Sequence, residues 1–403
     1  MERENRLLQT IIEGFKDIFY IWKEELRNVF RDQGVVIFFF LVPIAYPIVY
    51  AFIYNHEVVR DAKLAVVDQS DTYLSREFTR RINATADVQV TGVYSDMEEA
   101  KRALDRKEAY GILYFPPEFS KDLHTGKQTT VSLYSDMISM LYYKAFLVSS
   151  TNISLEMGKE LRQRNDPAST AELQDILVNP VPYEEVAMYN PQSGFATFLI
   201  PAILILVIQQ TLVLGICMLG GTARERSPIH NIFPPSLHYQ GTLRIVLGKS
   251  LVYLMLYSIA GLWVLGIVPR LFEFPQIGNP ITILWFTIPF LLACIFMAMT
   301  LSGFMTSRES PMLVFVFASV ILLFLSGISW PKEAMPTFWK TISHLVPSTP
   351  GIRGFVRINM AGATLNEVAY EYQMLWVQTG VYFVTTFFVY RNQIIRAQRY
   401  SAD

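Results

Sequence analysis

From Val35 to Tyr54 the chain reads VVIFFFLVPIAYPIVYAFIY, without one charged residue. Crossing a hydrocarbon core about 30 Å thick takes roughly 20 apolar residues in a helix, and this run meets that length. Five further runs follow after a long gap, at 195–219, 245–268, 281–304, 311–328 and 372–390. Together they predict an α-helical polytopic membrane protein with six transmembrane helices. Composition agrees: 52% of the 403 residues are hydrophobic and only 17% charged, where soluble domains approach about a quarter charged. Pro43, Pro47, Pro201 and Pro289 fall inside the runs, which membrane bundles tolerate because neighbouring helices satisfy the freed carbonyls.

Lysine and arginine near the ends of short loops set the orientation. Lys16, Lys23, Arg27 and Arg31 precede the first run, Arg224, Arg226 and Arg244 lie between the second and third, and Arg391, Arg396 and Arg399 follow the last. With six spans these three basic segments share one side, which places both termini and the 391–403 tail in the cytoplasm, the protein being multi-pass in the cell's inner membrane. The N-terminus does not read as a signal peptide, because its first apolar run begins late and lacks a small-residue cleavage site.

Residues 55–191 form the gap between the first two spans and are expected to be an inserted extracytoplasmic domain. KLAVVDQ, VQVTGVY, YGILYFP and TVSLYSDM read as strands, and YLSREFTRRINAT, DMEEAKRALDRKEA and the stretch 138–164 as helices. That alternation predicts an α/β unit with a partly parallel sheet. Residues 1–34 instead predict an amphipathic helix, with Phe15, Ile18, Phe19, Trp22, Leu26, Val29 and Phe30 on one face. Such a helix either lies in the cytoplasmic interface or packs as an ordinary helix.

Several chemistries are absent. Net charge is −1 with no long basic run, so nucleic acid is not an expected partner. Cys217 and Cys294 lie within apolar runs, His230 and His238 have no acidic or cysteine companions, and no metal site is expected. No nucleophile-and-base motif stands out. GTLRIVLGKS at 241–250 ends like a phosphate-binding loop, but Leu243 occupies the position of the first glycine that such a loop requires. LGKS is therefore expected to be the entrance of the third span, with Gly248 at the turn into the helix and Lys249 at the headgroup level. Gln209 and Gln210 lie mid-span in the second run, where a polar side chain bonds another helix or lines a pathway.

The fifth run continues into LFLSGISWPKEAMPTFWKTISHLVPSTPGIRGFVRINMAGATLNEV, rich in Pro and Trp, which predicts an external re-entrant segment over 329–371. Its Ser326, Gly327, Ile328, Trp330, Pro331, Glu333, Pro336, Trp339, Pro347, Arg353 and Gly362 resemble, in order, the corresponding stretch of ABC-2 family transporter permeases. So do AVVDQSDTYLSREFTRRI and EAYGILYFPPEFSKDL in the inserted domain. The loop 220–244 is similar to the family's cytoplasmic loop at Arg224, Glu225, Arg226, Pro234, Pro235, Gly248 and Lys249, with Ser227 and Pro228 standing where Gly-Thr is usual.

The resemblance implies a transport subunit without its own ATPase site and without cofactors, in which a separate cytoplasmic ABC ATPase holds ATP and Mg. It implies a homodimer or a heterodimer with a similar permease in the lipid membrane, with an envelope adaptor protein as a further candidate partner. Coupling to the ATPase would run through Arg224, Glu225, Arg226, Ser227, Pro228, Pro234 and Pro235 and through the interfacial helix at Phe19, Trp22, Leu26 and Phe30. Gln209 and Gln210 are the candidates for lining the pathway. The near absence of ionisable residues in the spans favours export of a lipophilic or amphipathic substrate. The alternative is a non-transporting scaffold or receptor whose external domain binds a ligand or partner.

Overall fold

The computed structural model describes residues 2–54, 58–137, 139–165, 188–190, 194–227, 233 and 241–402. Pro228, Pro234 and Pro235, and both loop histidines, lie outside the described residues. The chain forms two compact units, Met1–Asn55 with Met188–Asp403, and His56–Ala187.

The first unit opens with α1 (Glu2–Arg31), which turns at Asp32 into α2 (Gln33–Ile53). A π-helical turn at Ile37–Leu41 comes just before Pro43. A proline ring presses on the carbonyl four residues earlier, here that of Phe39, so the wider turn falls where room is needed.

In the second unit, β1 (Ala62–Asp68), β2 (Val88–Tyr94), β3 (Gly111–Phe115) and β4 (Ser132–Ser135) form one sheet in the order β2-β1-β3-β4. The first three strands are parallel and β4 runs antiparallel to β3. The connecting helices are α3 (Tyr73–Asn83), α4 (Met97–Asp105), α5 (Phe119–His124) and α6 (Met140–Asn165). Side chains alternate across a strand, and β1 feeds two cores accordingly. Leu64 and Val66 pack with Phe78 of α3, Phe119 of α5 and Phe146 of α6, while Ala65 and Val67 pack with Ala100 of α4. The mixed sheet and its helices follow the alternation read from the sequence.

The first unit resumes with α7 (Phe195–Arg226), α8 (Thr242–Leu271), α9 (Pro280–Ser302) and α10 (Ser310–Leu325). Apolar all round, α7 is buried along nearly its whole length, the position such a helix takes at the centre of a bundle. Among the described residues, α2, α7, α8 and α9 are long and apolar enough to cross a membrane. The two other expected spans differ. The apolar helix α10 has only 16 residues, and in α13 (Ala369–Ala402) Gln373 and Gln378 dilute the run.

Between α10 and α13 the chain breaks into a 3-10 turn at Lys332–Ala334, α11 (Thr337–Ser343) and α12 (Ser348–Ala361). Pro336 and Pro347 stand immediately before the two helices and Gly362 ends α12 at φ 67°, as the left-handed position after a helix favours. Trp330, Phe338 and Trp339 point outward, the disposition of aromatics at a membrane–water boundary. Pro331 and Glu333 are also exposed. The Arg353 Nε donates to the Ser326 carbonyl at 3.0 Å beside Gly327, so the serine-glycine pair and the arginine of the sequence pattern meet in space.

Candidate functional site

Helix α1 has two working faces. Phe15, Phe19 and Phe30 are exposed, while Ile21 and Val29 are buried and Trp22 and Leu26 pack partly buried against the bundle. The buried face lies along the start of α8. There Gly248 lets the two helices touch, because a Cβ would come 2.9 Å from the Ile21 side chain and 3.0 Å from the Ile18 carbonyl oxygen. Gly248 is therefore not at the loop turn, since α8 begins at Thr242; the apolar run used to place the entrance begins later than the helix does.

The same face carries acids at two-turn intervals: Asp17, Glu25 and Asp32. Asp17 pairs with Arg244 at the rim. Glu25, 2% exposed, takes the Lys249 ammonium at 2.9 Å and the hydroxyl hydrogen of Tyr253, and the ammonium also lies 5.3 Å from the centre of the Phe233 ring. Lys249 thus sits inside the protein at 9% exposure and not at a lipid headgroup. A buried charge needs such a partner, because removing one member leaves the other stranded at a cost of about 3–5 kcal/mol.

Asp32 gathers four elements. Its Oδ1 accepts from the Gly34 and Val35 amides at 3.1 and 3.3 Å, capping α2, and from the Arg308 guanidinium at 2.6 Å. Its Oδ2 accepts from the Thr222 hydroxyl of α7 at 3.0 Å. Arg308 lies in the 303–309 loop between α9 and α10, which is clamped twice more to the end of α7. The Arg224 Nη2 donates to the Gly303 carbonyl at 2.6 Å, and the Arg308 amide donates to Glu225 Oε1 at 2.9 Å. Gly221 makes the approach possible, since a Cβ there would fall 2.3 Å from the Ser307 carbonyl oxygen.

Of the residues singled out in the loop after α7, Arg224 and Glu225 thus bind the neighbouring loop, Arg226 is exposed, and Ser227 ends the helix in extended conformation. The sequence reading missed Asp17, Glu25, Asp32 and Arg308. The signal available was the regular spacing of the three acids along one stripe of a helix.

The two glutamines separate. Gln209, 1% exposed, accepts from the Ser348 amide at 2.7 Å and donates to the Ser348 hydroxyl at 3.2 Å, tying α7 to the start of α12. Gln210 instead borders a cavity of about 300 Å³ between α2, α7 and α10, with Tyr46, Tyr50, Val207, Phe315 and Val320 among its walls. Its Nε2 has no hydrogen-bond partner among the described residues. Also among the described residues, no cluster of His, Cys, Asp and Glu is arranged to hold a metal ion.

Comparison with known proteins bears on what such a molecule is. Residues 34–388 match the model of the ABC-2 family transporter proteins. The chain is similar to the probable multidrug ABC transporter permease YbhR of Escherichia coli strain K12, 20% identical over 335 residues that cover 83% of this chain and 87% of that protein. It is also similar to the linearmycin resistance permease protein LnrN of Bacillus subtilis strain 168, 22% identical over 386 residues covering 88% and 94%. Family members are transport subunits that lack ATPase activity and typically pair with a cytoplasmic ATPase subunit. With its bundle of long apolar helices, this multi-pass membrane protein belongs to the ABC-2 family of ABC transporter permeases.

Proposed function

We propose that the chain is the membrane subunit of an exporter that receives the work of a separate ATPase at the Asp32 junction. The observation that carries this is the convergence of α1, α2, the end of α7 and the 303–309 loop on one buried carboxylate. Force applied to α1 or to the loop after α7 reaches three spans through bonds that are short and charged. A partner can shift the bundle between two arrangements only by contacting them differently, and Arg226 and Ser227 at the end of α7 are the residues placed to feel it. The exposed Phe15, Phe19 and Phe30 would hold α1 in the interface, so that it moves as a lever along the membrane plane.

In this reading α10 and α13 complete six spans, both termini are cytoplasmic, residues 55–191 are extracytoplasmic and 329–371 dip into the outer interface. Two permeases, identical or similar, associate with two ATPases, and an envelope adaptor is a further partner. The cargo is lipophilic or amphipathic, and the groove beside Gln210 is part of its path: apolar walls hold the body and the free amide hydrogens meet a polar group. The relatives' names, multidrug permease and linearmycin resistance permease, support export of such compounds.

The test is reconstitution of the permease with its ATPase in vesicles. Amphipathic compounds should stimulate ATP hydrolysis and be moved across the bilayer. Arg226→Glu should abolish that stimulation while leaving the permease folded and monodisperse. Unchanged export by this variant would remove the docking role from the end of α7.

A further inference from the structure

The unit His56–Ala187 holds a crevice that the transport reading does not use. From β1 the chain passes through α3 to β2 on one side, then returns through α4 to β3 on the other side of β1. The connections leaving β1 and β3 therefore diverge, and ligands of open α/β sheets bind where such connections part, beyond the carboxyl ends of the strands. At that place a cavity of about 260 Å³ is lined by Thr72, Tyr73, Leu74, Ser120, Leu123, His124 and Leu161.

The polar groups there have a fixed direction. The Asp68 carboxylate at the end of β1 accepts from the Ser70 and Asp71 amides, both at 3.0 Å, and from the Ser75 hydroxyl at 2.7 Å. Ser75 has spent its one hydrogen on the carboxylate, so across the 3.3 Å to Thr72 it is Thr72 that donates. Thr72 in turn is 2.5 Å from the Ser120 hydroxyl, where Ser120 must be the donor. The chain of hydroxyls runs from Ser120 to Asp68 and leaves the Ser120 oxygen, at the cavity wall, with lone pairs only. His124 repeats the pattern. Its Nδ1 lies 2.6 Å from the Ser120 carbonyl, which can only accept, so in the neutral ring Nε2 is an acceptor as well.

We infer that this crevice is a binding site for a small amphipathic molecule whose polar end is a hydrogen-bond donor, a hydroxyl or an amine, and whose apolar body rests on Leu74, Leu123 and Leu161. An anion does not suit it, because the hydroxyl chain ends on a carboxylate and presents oxygen lone pairs. Buried acceptors also discriminate against a ligand that lacks the hydrogen, since they are then left unpaired.

The full-length protein in lipid nanodiscs is photolabelled with a diazirine-bearing pentanol, with its methyl ether as control, and the modified peptides are identified by mass spectrometry. The alcohol should label peptides covering 69–77 and 118–127 about fivefold more than the ether, the factor for one hydrogen bond. Leu161→Phe, which fills the cavity without touching the hydroxyls, and Ser120→Ala, which removes the acceptor, should each bring the alcohol down to the ether level. Equal labelling by the two probes, or persistence of the difference in either variant, overturns the inference. No ATPase takes part, so failure here and failure of the export reading are separate results.

Discussion

Lys249 shows how much one residue's surroundings can reverse its reading. As part of LGKS it reads as a phosphate-binding lysine or a lysine at the lipid headgroups, and in the folded chain it neutralises a buried glutamate. Spacing excluded the first reading, but no local pattern could supply Glu25, which lies more than 200 residues earlier in the chain. Lys249→Met should destabilise the unit by about 3–5 kcal/mol, since Glu25 keeps its charge and loses its ion pair. Adding Glu25→Gln should recover most of that loss, because two apolar or neutral groups of similar volume need no counter-charge. Thermal unfolding in detergent, followed by tryptophan fluorescence, reads both. A double variant no more stable than the single one would show that packing, and not charge, sets the cost. Gln210 offers the opposite case: its Nε2 lacks a partner, so Gln210→Leu should leave the unfolding temperature unchanged or raised, while altering which compounds stimulate the partner ATPase.

Elements were legible where the signal is local. The strands and helices of the inserted unit follow the hydrophobic alternation, and α2, α7, α8 and α9 follow from length and the absence of charge. What stayed hidden is which element holds which: the Asp32–Arg308 bond joins residues 276 apart in the chain, and no window of sequence contains both. The Gly220-Gly221 pair belongs to the same class, because its reason is a neighbour's backbone. Gly221→Ala puts a methyl group 2.3 Å from the Ser307 carbonyl oxygen, so the 303–309 loop must retreat from α7 at a cost of about 1–3 kcal/mol. Faster hydrogen exchange at Gly303 and Arg308 should accompany it, and unchanged exchange would mean that α7 gives way instead. In the inserted unit, Arg81 bridges α3 to α6 through two 2.8 Å bonds to Glu160, and its Nε also binds Glu77. Hydrogen bonds from Arg80 and Arg81 lower the Glu77 carboxyl to about 2. A depressed carboxylate stabilises the fold above its unfolded value and loses that contribution as pH falls through the folded one. Protection of the α3 amides should therefore hold to about pH 4.5 and fall toward pH 2, and Glu77→Gln should flatten that part of the profile.

On the scale of the whole molecule, the transport reading turns on whether Asp32 is a junction that transmits force or only a helix cap. The two roles separate in Asp32→Asn. Asparagine caps a helix about as well as aspartate, so the bonds from the Gly34 and Val35 amides can persist and α2 should start where it does now. What asparagine lacks is the charge that holds Arg308, and its single carbonyl oxygen cannot serve the amides, the arginine and the Thr222 hydroxyl together. The 303–309 loop would then stay attached to α7 through Arg224 and Glu225 but come free of α1 and α2. If the junction transmits force, the variant should assemble with its ATPase and hydrolyse ATP, yet move roughly tenfold less cargo per ATP, the loss expected of about 1.4 kcal/mol of coupling. Asp32→Ala, which loses the cap as well, should lower stability further without lowering transport per ATP any more. An asparagine variant that exports as the unaltered chain does, with the same ATP turnover, would reduce Asp32 to a cap and move the point of coupling elsewhere in the bundle.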